Sequence, residues 1–250
     1  VVLRATDEAG AYVEQSFTVG VAELIDVTSV LELSQLDSMH GFQMNGWDIA
    51  WLGEGSYLRG IQSEGYSVSP AGDVNADGVD DIILGAPPNL SYADAFRSQT
   101  YLVFGSTNEV NTSLDLRELD GTKGFNFASI DVGDLSGWSV SSAGDVNGDG
   151  VDDIIIGAPF AAPISSSNSS LGRGGESYVV FGSSTLSAAS FDLSTLNGSN
   201  GFQINGIYPG DRSGASVSSA GDVNGDGQDD IIIAASDESY ILYGSELWSD

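Results

Sequence analysis

The chain has 250 residues, 41% apolar and 9% aromatic, a composition that suits a folded protein and argues against a disordered one. Its 36 Asp and Glu against 7 Lys and Arg leave a net charge of -29, which repels phosphate backbones and anionic membrane surfaces and so argues against nucleic-acid partners. With no cysteine, disulfides, thiolate nucleophiles and zinc–thiolate sites are excluded, and no run approaches the roughly 18 apolar residues needed to span a bilayer.

Helix-favouring charged residues are scarce while Gly, Ser, Val and Ile abound, so the predicted class is all-β. In chain order, residues 1–22 read as a hairpin turning at Glu8 to Ala11, with Val13, Phe17, Val19 and Val21 on one parity of a half-buried strand. This stretch resembles the last hairpin of a cadherin-like or immunoglobulin-like sandwich. Val1 opens in mid-pattern with no basic leader, which is expected of a chain cut from a longer precursor. Residues 23–46 end in GFQMNG at Gly41 and are expected to give the outer strand of a preceding unit. The one histidine, His40, falls in a turn leading into that strand, where a structural role is expected.

The rest of the chain repeats itself. GYSVSPAGDVNADGVDDIILGAP, GWSVSSAGDVNGDGVDDIIIGAP and GASVSSAGDVNGDGQDDIIIAAS begin at Gly65, Gly137 and Gly214. Each is followed by an aromatic strand, YLVFG, YVVFG or YILYG, and preceded by GFQMNG, GFNFAS or GFQING. Alternation and turn punctuation divide each unit into four short strands, the second apolar on both faces and so buried between neighbouring sheets. Four strands repeated radially predict β-propeller blades, with repeats at 47–123, 124–200 and an incomplete 201–250. Closed propellers use about 4 to 8 blades, so the remaining blades are expected from a parent chain or another copy.

Between strands one and two, DVNGDGVDD places oxygen-bearing side chains at positions one, three, five and nine with glycine at six. Side chains on alternate residues of a tightly curled loop can converge on one hard cation, joined by the carbonyl at position seven. The predicted ligands are Asp73, Asn75, Asp77, Val79 and Asp81; Asp145, Asn147, Asp149, Val151 and Asp153; and Asp222, Asn224, Asp226, Gln228 and Asp230. Gly78, Gly150 and Gly227 permit the sharp reversal. An all-oxygen set in a flexible loop suits Ca2+ over Mg2+, and zinc would want nitrogen or sulfur. An EF-hand needs a glutamate at position twelve, where Leu84, Ile156 and Ile233 stand in apolar strands. The alternative to three calcium sites is three Asx-rich turns without metal. Asp80, Asp152 and Asp229 at position eight are expected to point away and serve the turn or solvent.

FG closing strand three, GAP closing strand two and DxNxDGxxD between strands resemble FG-GAP repeats over about residues 31–248. The resemblance implies an integrin α-type seven-bladed propeller with calcium in the turn between strands one and two. Ala76 stands in place of a glycine and Ala234-Ala235-Ser236 in place of GAP, which is expected to weaken the third blade's outer turn and not its metal site.

Strands that run up and down place the calcium loops opposite the loops after strands two and four. Trp47, Trp51, Tyr57, Arg59, Tyr92, Arg97, Arg173, Tyr208 and Arg212 lie there and are the candidates for contact with a protein or glycan partner. Sequons at Asn89, Asn111, Asn168 and Asn197 fit exposed loops. The expected function is a calcium-binding extracellular or cell-surface adhesion module, with structural calcium and no catalytic residues. The alternatives are a purely structural spacer, or the non-catalytic portion of a secreted hydrolase, since similar propellers accompany the catalytic domain of glycosylphosphatidylinositol-specific phospholipase D.

Overall fold

The computed structural model describes residues 2–6, 12–16, 42–45, 67–88, 98–107, 113–162 and 173–248. β1 (Val2–Thr6) and β2 (Tyr12–Ser16) pair antiparallel as a two-stranded sheet, with Thr6 opposite Tyr12, in agreement with the predicted hairpin. β3 (Gln43–Asn45) follows, within the segment expected to give an outer strand. Among the described residues no helix is long and apolar enough to cross a membrane.

The repeats form successive sheets. Blade 1 comprises β4 (Ser67–Gly72), β5 (Asp81–Ala86) and β6 (Gln99–Val103); after β7 (Ser113–Asp115) the chain returns as β8 (Gly124–Ala128), which pairs with β6. Blade 2 repeats this with β9 (Ser139–Gly144), β10 (Asp153–Ala158), β11 (Glu176–Val180) and, after β12 (Ser190–Asp192), β13 (Gly201–Asn205). Blade 3 has β14 (Ser216–Gly221), β15 (Asp230–Ala234) and β16 (Ser239–Leu242). These are propeller blades, and the FNFA and FQIN segments are the fourth strands of blades 1 and 2, paired with β6 and β11.

The core lies between sheets, as the two-faced apolar strands require. On one face of blade 2, Ile154, Ile156, Tyr178 and Val180 pack with Phe125 and Phe127 of blade 1. On the other, Ile155 and Val179 pack with Ile231 and Ile233 of blade 3. The glycine of each GAP sits at the same boundary. A Cβ on Gly85 would lie 1.9 Å from the Gly137 carbonyl oxygen, and one on Gly157 would lie 2.1 Å from that of Gly214. Backbone contact between blades is therefore possible only because these side chains are absent. Ala234 occupies the corresponding position of blade 3.

The strands β7 and β12 lie outside the predicted four-strand unit. After strand three the chain pairs in parallel with an earlier strand, β12 with β8 of blade 1 and β7 with β3. Their signal is a second repeated motif, SLDLREL and SFDLSTL. Asp115 and Asp192 accept hydrogen bonds from the Arg117 and Ser194 amides at the start of short 3-10 turns, and Leu116 and Leu193 are buried beneath.

Candidate metal centre

Each predicted loop begins at a bulge. Pairing shifts between Pro70 and Gly72, between Asp153 and Ile154, and between Ser219 and Gly221. Gly72, Gly144 and Gly221 then take φ of 77°, 74° and 66°, turning the chain out of strand one. Gly78, Gly150 and Gly227 adopt φ of 88°, 88° and 96° at position six, the predicted reversal. At position four Gly148 and Gly225 are also left-handed, and Ala76 keeps that conformation at φ 57° despite its Cβ. That costs roughly 1–2 kcal/mol that glycine avoids.

The predicted side chains of each loop curl over their own backbone. In the first, Asp73 accepts from the Asp77 amide at Oδ1 (2.9 Å) and from the Gly78 amide at Oδ2 (2.8 Å). Asn75 Oδ1 accepts from Asp77 (2.9 Å), and Asp77 Oδ1 from the Val79 amide (2.9 Å). Asp145, Asn147 and Asp149 repeat the pattern with the amides of Asp149, Gly150 and Val151, all within 3.0 Å. Asp222, Asn224 and Asp226 do so with Asp226, Gly227 and Gln228. Amide hydrogen bonds, led by that from Gly227, hold the exposed Asp222 carboxyl below its ordinary range.

Position nine lies deeper. Asp81, Asp153 and Asp230 are 1%, 0% and 0% exposed. Each bridges two segments of its blade. Oδ2 accepts from the position-two amide, Val74, Val146 or Val223, at 2.8–3.0 Å, and Oδ1 from the glycine amide ending strand three, Gly105, Gly182 or Gly244, at 2.9 Å. The loop between strands one and two and the turn after strand three thus lie on one face, as expected. Burial, with a further push from Asp77 and Asp73, drives the Asp81 carboxyl up to about 6; burial, with Asp149 and Asp145, drives Asp153 up to about 8.

Among the described residues no three or more Asp, Glu or His side chains are gathered into a ready metal cage; the loop carboxylates accept from backbone amides instead. The donor set nonetheless fits a hard cation. It is all oxygen, a carboxylate oxygen accepting one N–H keeps a second lone pair, and a carboxylate whose charge burial disfavours is relieved by a nearby cation.

The position-eight expectation is corrected for Asp152 and Asp229. Asp152 Oδ2 accepts from the Asp73 amide of blade 1 (2.8 Å), and Asp229 Oδ2 from the Asp145 amide of blade 2 (3.0 Å). These side chains reach across the blade boundary because Gly72 and Gly144 leave room: a Cβ there would lie 2.3 and 2.1 Å from the carboxylate oxygens. The sequence carried the signal as an invariant pair of aspartates at positions eight and nine, but a single repeat does not show what the first one meets.

On the opposite face, Arg173 Nη1 donates to the Gly133 carbonyl (2.7 Å), joining the loop after strand two to the one after strand four. Arg212 lies 5.0 Å from the Phe160 ring centroid, and Phe160 packs on Trp138. Tyr208 is 59% exposed. Trp47, Trp51, Tyr57, Arg59, Tyr92 and Arg97, with His40, Asn89, Asn111 and Asn168, lie outside the described residues. Asn197 is exposed, its Oδ1 accepting from the Ser199 amide and hydroxyl.

Residues 65–101, 136–180 and 213–245 match the family described as FG-GAP repeat. Integrin alpha-4 of Xenopus laevis is 31% identical over 198 residues, 77% of this chain and 15% of that protein. Integrin alpha-5 of the same organism is 33% identical over 117 residues, 47% and 10% of the two chains. Phosphatidylinositol-glycan-specific phospholipase D of Homo sapiens is 33% identical over 106 residues, 42% and 12%. The chain thus spans 10–15% of the length of these relatives. With sheets, turns and matches in agreement, this is an FG-GAP repeat chain of integrin α-like propeller blades.

Proposed function

We propose that the chain is a calcium-braced extracellular or cell-surface recognition module, non-catalytic in itself. Its ions would sit in the three loops, and a protein or glycan partner would meet the opposite face. The observation that carries this reading is the triple recurrence of an all-oxygen loop whose position-nine carboxylate is buried. Asp73, Asn75, Asp77 and Asp81, with the Val79 carbonyl, would hold one ion, and the matching residues of the other loops the second and third. Bound there, calcium supplies charge neutralisation and a cross-link between strands one and two, with no part in chemistry. Similarity to integrin α subunits supports the adhesion assignment and further blades as partners. The phospholipase D similarity favours a second reading, the non-catalytic portion of a secreted hydrolase.

Thermal unfolding of the chain in a chelator and then in millimolar calcium tests the reading. Ligands that bind only the folded state stabilise it by RT ln(1 + [L]/Kd), about 2.7 kcal/mol at 100 times Kd. A rise of several degrees is expected, and an unchanged Tm with no binding heat would overturn the calcium assignment.

A further inference from the structure

The three loops are joined in series by hydrogen bonds that cross the blade boundaries. Asp81 Oδ2 holds the Val74 amide, and the Val74 carbonyl accepts from the Ser183 amide of blade 2 (2.9 Å). Beside Ser183, the Gly182 amide donates to Asp153 Oδ1. The same steps recur one blade on. Asp153 Oδ2 holds the Val146 amide, the Val146 carbonyl accepts from Ser245 (2.8 Å), and the Gly244 amide beside it donates to Asp230. Each boundary is closed a second time by the position-eight carboxylate on the position-one amide, and at the second boundary the Asp229 amide also donates to the Asp145 carbonyl (3.2 Å).

Position eight lies in sequence between two residues of its own loop that the calcium reading assigns to the ion, through the carbonyl at seven and the carboxylate at nine. Filling a loop fixes the backbone that carries its position-eight side chain. That side chain fixes the amide of the first ligand in the preceding loop. We propose, resting on the calcium reading, that the loops bind as a coupled series. An ion in one loop raises the affinity of the loop in the preceding blade, and Asp152 and Asp229 are the positioning residues that transmit the effect. Coupling of this kind is reciprocal in binding free energy, so each ion aids its neighbour in both directions.

The test is a calcium titration of the full 250-residue chain, following the amides of Gly78, Gly150 and Gly227 by NMR so that each loop is read separately. Asp226→Ala, which disables the third loop, is expected to weaken the second by about fivefold or more, the lower range of such couplings. Asp229→Ala leaves the third loop's own ligands in place, and it should weaken the second loop similarly and make Asp226→Ala no worse. Asp229→Asn retains an acceptor oxygen and should restore coupling, which a generally loosened blade would not. Equal second-loop affinities in wild type, Asp226→Ala and Asp229→Ala overturn the proposal. Should a blade 3 variant fail to fold, Asp149→Ala and Asp152→Ala put the same question to the first boundary. Amide exchange at Asp145 in chelator separates the two ideas, because Asp229→Ala should speed it whether or not calcium binds. Loops that bind calcium independently sink only the coupling, whereas loops that bind none sink the calcium reading as well.

Discussion

Blades 2 and 3 carry near-identical segments and live in different surroundings. ESYVVFG in blade 2 is buried throughout, whereas in ESYILYG of blade 3 Ile241 and Tyr243 are 53% and 56% exposed. Glu176 accepts from the Tyr178 hydroxyl (2.7 Å) inside the protein, while Glu238 and Tyr240 make the same bond at the surface. Blade 2 has a sheet packed on each face; in the described residues blade 3 has a sheet on one. Burial of a blade strand is therefore set by its neighbours at least as much as by its residues.

Truncating the strands should break the resemblance most sharply. Ile155→Ala removes a fully buried side chain between blades 2 and 3, at an expected cost of about 2–5 kcal/mol. Ile241→Ala should stay within about 0.5 kcal/mol, as exposed sites do. Chemical denaturation of the two variants measures the difference, and similar losses would mean that blade 3 is covered in solution.

A smaller contrast lies at the bulges. Gly144→Ala and Gly221→Ala both force a side chain into left-handed backbone, at roughly 1–2 kcal/mol. Only the first also meets a carboxylate, Asp229, whereas no described atom lies within 4 Å of a Cβ on Gly221. Gly144→Ala should therefore lose more, by about the 1 kcal/mol of a hydrogen bond. Equal melting shifts would show that the Asp229 contact contributes nothing.

The subtlest effect is on pH. Burial raises the Glu176 pKa above its ordinary 4.5, opposed by the Tyr178 hydroxyl and reinforced by Asp134 and Asp131. A carboxyl raised in this way stabilises the fold fully below the unfolded value, and that contribution fades as pH rises through the folded one. Glu176→Gln should thus gain stability relative to wild type on passing from pH 4 to neutrality. A constant difference in Tm across that range would contradict it.

Blade architecture was legible in the sequence because three copies were aligned by their own repetition. DDIIIGAP announced a strand buried on both sides, and the conformations of Gly78, Gly150 and Gly227 followed from where the loops must reverse. What escaped lies between repeats. The reach of Asp152 to Asp73 spans 79 residues, and β12 pairs with a strand of the previous blade. Periodicity within one unit is blind to partners in the next. The spacing marks the position-nine aspartates as candidate ligands, but not that they tie strand three to the loop, because the glycine amides they meet lie 14 to 29 residues away.

The alanine at 234 gives the array a direction. Blades 2 and 3 each press a backbone carbonyl into a hollow on the blade before, and on the last described sheet a methyl group fills that hollow. A sheet stacked against β14–β16 could not copy the seating seen at the first two boundaries. Such a sheet would have to stand further off or bring a differently shaped shoulder, so the contact seen at the first two boundaries is not available at this face.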